Sequence, residues 1–226
     1  MRFKDVFAII GPVMVGPSSS HTAGAVRIGR VARQLLGRFP NEAHITLFGS
    51  FAETYQGHGT DVAIVAGLLD WNTEDLRIPR SLEFAAEAGM SVIFSRGVGA
   101  VPHPNTASIR LGAGTHGVDV TCRSIGGGNI EVHQVNGFAV KCSAAYPTLF
   151  LFHKDLPGII AGFTRLLTSE DMNIVSMSVD RKARKGDALT VIEMDQGPSE
   201  SLLVKLRSLP NAAEIKKIDL TESRCL

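Results

Sequence analysis

The residues of this chain best suited to chemistry stand in one early run, Gly16-Pro17-Ser18-Ser19-Ser20-His21-Thr22-Ala23-Gly24. The hydroxyls of Ser18, Ser19, Ser20 and Thr22 and the imidazole of His21 precede a segment with helical apolar spacing. A helix start carries free backbone N–H groups and the positive end of the helix dipole, so the run can seat a small carboxylate or phosphate. An ordinary N-cap after a proline turn needs only one of these side chains, and the run alone leaves both readings open. A second constellation, Gly57-His58-Gly59-Thr60-Asp61, strips steric cover from an imidazole and puts Thr60 and Asp61 where another helix takes its N-cap. It offers His58 as an exposed base, with a histidine in a capped turn as the alternative. Pro102-His103-Pro104-Asn105 is stiff because each proline fixes its own φ and restrains the residue before it; on its own it reads as a strand-edge loop.

The elements that must position these residues follow from periodicity. Val26, Ile28, Val31, Ala32, Leu35, Leu36 and Phe39 recur at helical spacing and stop near Gly37 and Pro40. Residues 43–49 read as a strand, 61–71 as a buried second helix and 80–88 as a third. From Met90 the pattern turns to β-branched alternation over 91–95, 106–111, 118–123 and 129–135 with glycine-rich turns, predicting mainly antiparallel strands. Gly112-Ala113-Gly114-Thr115-His116-Gly117 fits the dinucleotide pattern, but strand-like residues follow where a helix is needed, so it reads as a hairpin turn. Gly126-Gly127-Gly128 reads as another turn, with close backbone approach to a ligand as the alternative.

Near Tyr146-Pro147 the pattern restarts. Strand 148–153, helix 157–168, strands 174–180 and 188–194, helix 200–209 and strand 213–218 give βαββαβ, the ferredoxin-like order. The fold class is therefore α+β: an N-terminal α+β domain over 1–145 and a ferredoxin-like βαββαβ domain over 146–226.

Composition narrows the function. The 226 residues are 44% hydrophobic and 20% charged with a net charge of +1, which suits a folded protein and argues against disorder. No basic block or aromatic-basic interleaving points to nucleic acid or a membrane surface. The apolar run 6–10, broken at Gly11-Pro12, is too short for a secretory signal or a membrane span, so a cytoplasmic location is expected. Cys122, Cys142 and Cys225 are widely spaced without a CxxC, so neither a disulfide framework nor a metal site within this chain is expected. His44, His116, His133 and His153 lack a partner pattern and read as surface or structural residues. No G-x-S-x-G elbow supports a serine hydrolase, and no lysine sits in a pyridoxal phosphate context.

The serine-rich run, Gly57-His58-Gly59-Thr60-Asp61, His103-Pro104-Asn105 and Ser124-Ile125-Gly126-Gly127-Gly128, in this order, resemble the beta chain of the iron-sulfur-dependent bacterial L-serine dehydratases. The tail from Thr148, with Lys154-Asp155-Leu156-Pro157-Gly158-Ile159-Ile160 and Asn173-Ile174, resembles an ACT domain. The resemblance implies a 4Fe-4S cluster held by an alpha chain, L-serine as substrate, an ACT-mediated homodimer and no pyridoxal phosphate. L-serine would lose its β-hydroxyl and α-proton to give aminoacrylate, then an imine, then pyruvate and ammonia. It also implies the roles: His58 as general base or orienting group with Thr60 and Asp61 beside it, and His21 touching substrate or orienting His58. Ser18, Ser19, Ser20 and Thr22 would hold the carboxylate, and Asn105 would contribute an amide contact. A helix N-terminus disfavours imidazolium, so His21 is expected to be neutral. The alternative is a non-catalytic amino-acid sensor, because the first domain also resembles the allosteric substrate-binding domain found beside ACT domains in some phosphoglycerate dehydrogenases.

Overall fold

The computed structural model describes residues 12–99, 101 and 103–221; the apolar run 6–10, Pro102 and Cys225 lie outside that range. The chain divides into two compact units with the boundary between Asn136 and Gly137. The α+β class holds in both.

In the first unit a π-helical turn, Ser19–Ala23, runs directly into α1, Gly24–Leu36. Val26, Ile28, Val31, Leu35 and Leu36 are buried, each large side chain contributing about 1.5–3 kcal/mol of transfer free energy. Gly37, at φ 76°, closes the helix in the left-handed conformation that glycine adopts without a Cβ clash. Then come β1 (Glu42–Phe48), α2 (Gly49–Thr54), α3 (Thr60–Leu68), a 3-10 turn at Ile78–Arg80 and α4 (Ser81–Glu87). Strands β2 (Ser91–Arg96), β3 (Thr106–Ala113), β4 (His116–Gly126) and β5 (Asn129–Val135) complete the unit, in the order β2-β1-β3-β4-β5.

Two features depart from the sequence pattern. β2 lies parallel to β1, not antiparallel, because the connection between them is a helical crossover through α2, α3 and α4. The short α2 was not expected, since only Phe51 and Ala52 of its six residues are buried and no periodicity can develop over that length. The turns at Gly114-Thr115 and Gly127-Gly128 are hairpin connections, as expected.

The second unit opens with β6 (Phe138–Cys142), a strand the sequence reading missed, and continues β7 (Thr148–Lys154), α5 (Ile159–Ser169), β8 (Ile174–Arg181), β9 (Asp187–Met194), α6 (Glu200–Arg207) and β10 (Ala212–Ile218). The last six elements are βαββαβ, with antiparallel strands in the order β10-β7-β9-β8. Leu149 and Leu151 of β7 and Ile192 and Met194 of β9 form one core with Phe163 and Leu167 of α5 and Leu202 and Leu206 of α6. The alternation of β7 is thus matched to the helical spacing above it. His153 is buried with both ring nitrogens satisfied, by Lys154 O and Thr190 Oγ1 at 2.8 Å each, and is structural.

Candidate active site

The two histidine constellations meet because α1 and α3 cross at glycines. A Cβ on Gly29 would stand 2.2 Å from Ile64 O, and one on Gly67 2.1 Å from Val26 O. The backbones touch where any side chain would hold them apart. This crossing fixes how the segments leading into the two helices approach each other.

At the first helix start Ser18 is the N-cap, its Oγ accepting from His21 N at 3.1 Å. Ser20 Oγ lies 3.3 Å from Ser18 Oγ and 3.0 Å from His21 Nδ1. His21 Nε2 meets Ser50 Oγ at 3.1 Å. A neutral imidazole has one N–H and one acceptor nitrogen, so His21 donates to one serine and accepts from the other. Burial, and then the neighbouring His58, hold the His21 imidazole below its usual 6.5. Both causes favour the neutral form of the ring. Ser19 is half-buried, and its carbonyl accepts from Gly24 N. Thr22 is buried and its Oγ1 donates to His58 O at 3.4 Å, tying one constellation to the other.

At the second helix start the N-cap is neither Thr60 nor Asp61. Gly59 takes the position at φ 66°, ψ 29° with no side-chain cap, and Thr60 is the first helical residue. A left-handed glycine turns the chain sharply enough to leave His58 outside. Thr60 is fully buried and its Oγ1 finds no hydrogen bond among the described residues. Asp61 is half-buried, its Oδ1 accepting from Val62 N at 2.8 Å. His58 is exposed, and its ring stands 5.2 Å from that of His21, centroid to centroid, tilted by 44°. Phe51 meets the His21 ring edge-on at 5.1 Å. The His21 ring thus packs against that of His58 while both of its nitrogens lie within hydrogen-bond distance of serine hydroxyls.

The other two motifs come to the same helix start through backbone contacts. Ser124 is fully buried under Gly24, where a Cβ would stand 2.2 Å from Ser124 Oγ. Ser124 N donates to Asn105 O at 2.9 Å, and Asn105 N donates to His103 Nδ1 at 3.2 Å. Pro104 lies against Gly49, beside Ser50, and Pro104 O accepts from Phe51 N at 3.4 Å. Gly128 O accepts from Arg27 Nη1 at 2.7 Å, so the triple-glycine turn is approached by helix α1. Sequence reasoning missed Ser50, whose partner lies 29 positions away. Its one signal was the Gly49 that lets Pro104 pack there.

The chain matches the family described as "Serine dehydratase beta chain" over residues 4–88. It is 48% identical to the "Probable L-serine dehydratase, beta chain" of Bacillus subtilis over 96% of this chain and 99% of that one. It is 37% identical to the "L-serine dehydratase, beta chain" of Peptoniphilus asaccharolyticus over 89% of this chain and 92% of that one. A D-3-phosphoglycerate dehydrogenase of Synechocystis is 27% identical over 87% of this chain but only 36% of its own length. Near-complete coverage of two beta chains, together with the convergence of all four motifs on one helix start, leads to the conclusion that this chain belongs to the serine dehydratase beta-chain family.

Proposed function

We propose that this chain is the beta subunit of an L-serine dehydratase and supplies the proton-handling and carboxylate-binding half of its active site. The observation that carries the reading is the exposed His58 packed against a neutral His21 held between Ser20 and Ser50. An exposed imidazole beside a neutral one suits removal of the α-proton of L-serine. The β-hydroxyl leaves as water; the aminoacrylate becomes an imine, and one water added back releases pyruvate and ammonia. Ser19 and Ser20 are the better candidates for the carboxylate, since Ser18 caps His21 and Thr22 braces the His58 turn. Thr60, fully buried two positions after His58, acts in positioning, Asp61 braces the turn, and Asn105 remains a substrate contact.

The described cysteines do not fit an iron-sulfur cluster. Cys122 and Cys142 are both buried, burial pushes the Cys142 thiol up to about 12, and the described residues hold no group of three His, Cys, Asp or Glu able to take a metal. The reading therefore assigns the 4Fe-4S cluster to an alpha chain. No step above depends on it.

The 146–226 segment is read as an ACT domain that pairs with a second copy in the cytoplasm. Edge strand β8, with Val175, Met177 and Val179 exposed, supports that pairing; among the described residues no helix is long and apolar enough to cross a membrane. A monomer at micromolar concentration in light scattering would remove this part. The sensor reading draws on the phosphoglycerate dehydrogenase relative, but anion binding needs only N–H groups and hydroxyls, not an exposed imidazole. Anaerobic mixing with the alpha chain tests the main proposal: pyruvate should form from L-serine only in the mixture. Pyruvate formed by this chain alone, or none from the mixture, would refute it.

A further inference from the structure

A cavity of the first unit lies away from the histidine pair. It lies on the opposite face of the sheet, with a volume of about 380 Å³, and is lined in part by Phe48, His103, Ser108, Thr121, Arg123 and His133. The pleat explains the separation. Ala107, Ile109, Val120, Cys122 and Val132 are buried, whereas Ser108, Thr121, Arg123, Glu131 and His133 alternate with them and face the other way. Register then builds the site, because Thr106, Arg123 and Glu131 fall in one cross-strand row and Ser108 and Thr121 in the next.

The polar groups on this wall have donors to spare. Arg123 gives Nε and Nη2 to a single oxygen, Glu131 Oε2, which leaves Nη1 unspent among the described residues. His103 Nδ1 accepts from Asn105 N, so the ring proton sits on Nε2 and is available. Ser108 Oγ accepts from Thr121 Oγ1 at 3.2 Å and keeps its own proton. His133 Nε2 is buried 3.5 Å from Glu131 Oε2. No carboxylate is among the lining residues. One permanent cation, partly neutralised by Glu131, matches a single negative charge better than a dianion. Phe48 and the volume leave room for a small organic body.

We propose that this cavity is a second ligand site, distinct from the His21–His58 site, and that it takes a small organic monocarboxylate. The carboxylate accepts from Arg123 Nη1, His103 Nε2 and Ser108 Oγ, and the organic body lies against Phe48. The inference does not depend on the proposed dehydratase role.

The test is a titration of the full chain, labelled with ¹⁵N at histidine, with butyrate and with the neutral isostere butyramide at constant ionic strength. Butyrate should shift the ring signals of His103 and His133 saturably, and butyramide should not. Arg123→Gln should weaken butyrate binding by about tenfold or more, and Ser108→Ala by severalfold. His58→Ala should leave the binding curve unchanged. If loss of the Arg123–Glu131 pair unfolds the chain, Ser108→Ala still decides, because it removes one hydroxyl and no ion pair. Equal responses to butyrate, butyramide and sodium chloride, or a butyrate curve that Ser108→Ala leaves unmoved, would overturn the proposal.

Discussion

The two helix starts that meet at this site are built in opposite ways. The one before α1 uses side chains everywhere: Ser18 caps it, Ser20 and Ser50 hold the two nitrogens of His21, and Thr22 is buried against the next constellation. The one before α3 uses almost none, since Gly59 turns the chain with backbone alone and His58 stands exposed. The first is a frame and the second a presentation. The proposed roles ask for this difference: a base has to reach substrate, while the group beside it has to keep one place and one charge state.

Removing the presented member should cost the most. His58→Ala in the two-chain enzyme should lower kcat/KM by about 10²- to 10⁴-fold, the range for loss of a general base, with folding intact in circular dichroism. Ser50→Ala should cost less, about three- to tenfold, because it removes one of the two side-chain hydrogen bonds that hold the His21 ring. If Ser50→Ala proved as damaging as His58→Ala, the division between frame and presentation would be wrong.

Stability should sort in the same manner. Gly67→Ala drives a methyl into the Val26 carbonyl and should destabilise the first unit by about 1–3 kcal/mol or more in urea denaturation. Gly59→Ala must hold alanine in the left-handed region and should cost about 1–2 kcal/mol. Ser18→Ala loses a cap worth about 1 kcal/mol. Equal activity losses for Gly59→Ala and Ser18→Ala would blur the comparison; a larger loss for Gly59→Ala sharpens it, because Gly59 aims His58.

The smallest effect is a pH dependence. Burial is the first cause lowering the pKa values of His21, His103 and His133, all in the first unit. Below about pH 6.5 their unfolded forms take up protons that the folded forms resist. Stability of the first unit should therefore be fully present above that pH and decline as pH falls toward the depressed values. Denaturation midpoints at pH 7.5 and 5.5 check this, and His21→Gln should flatten the slope. A first unit more stable at pH 5.5 would contradict the burial of these rings.

Most of the architecture was legible in the sequence because it rests on local periodicity: α1 from its apolar spacing, the βαββαβ order from alternation broken by turns. What escaped was tertiary. Gly29 and Gly67 look like weak points in helices, yet they are where α1 and α3 touch. Ser50 is an unremarked serine until Pro104 packs on Gly49 and the short α2 forms. Arg123 and His133 belong to alternating strands, and only cross-strand register places them with Ser108 around one cavity. His133 reads from sequence as a surface or structural residue, and only the structure shows its Nε2 buried beside Glu131 at that cavity. The four motifs were visible singly, but their meeting runs through backbone contacts such as Ser124 to Asn105, which no residue type announces.

In the proposed mechanism His58 removes the α-proton of L-serine. The direct measurement compares turnover of ordinary and α-deuterated L-serine by the reconstituted two-chain enzyme, wild type and His58→Ala. His58→Ala should slow pyruvate formation by about 10²-fold or more and enlarge the deuterium isotope effect, as proton removal becomes limiting. Near wild-type turnover with an unchanged isotope effect would contradict it.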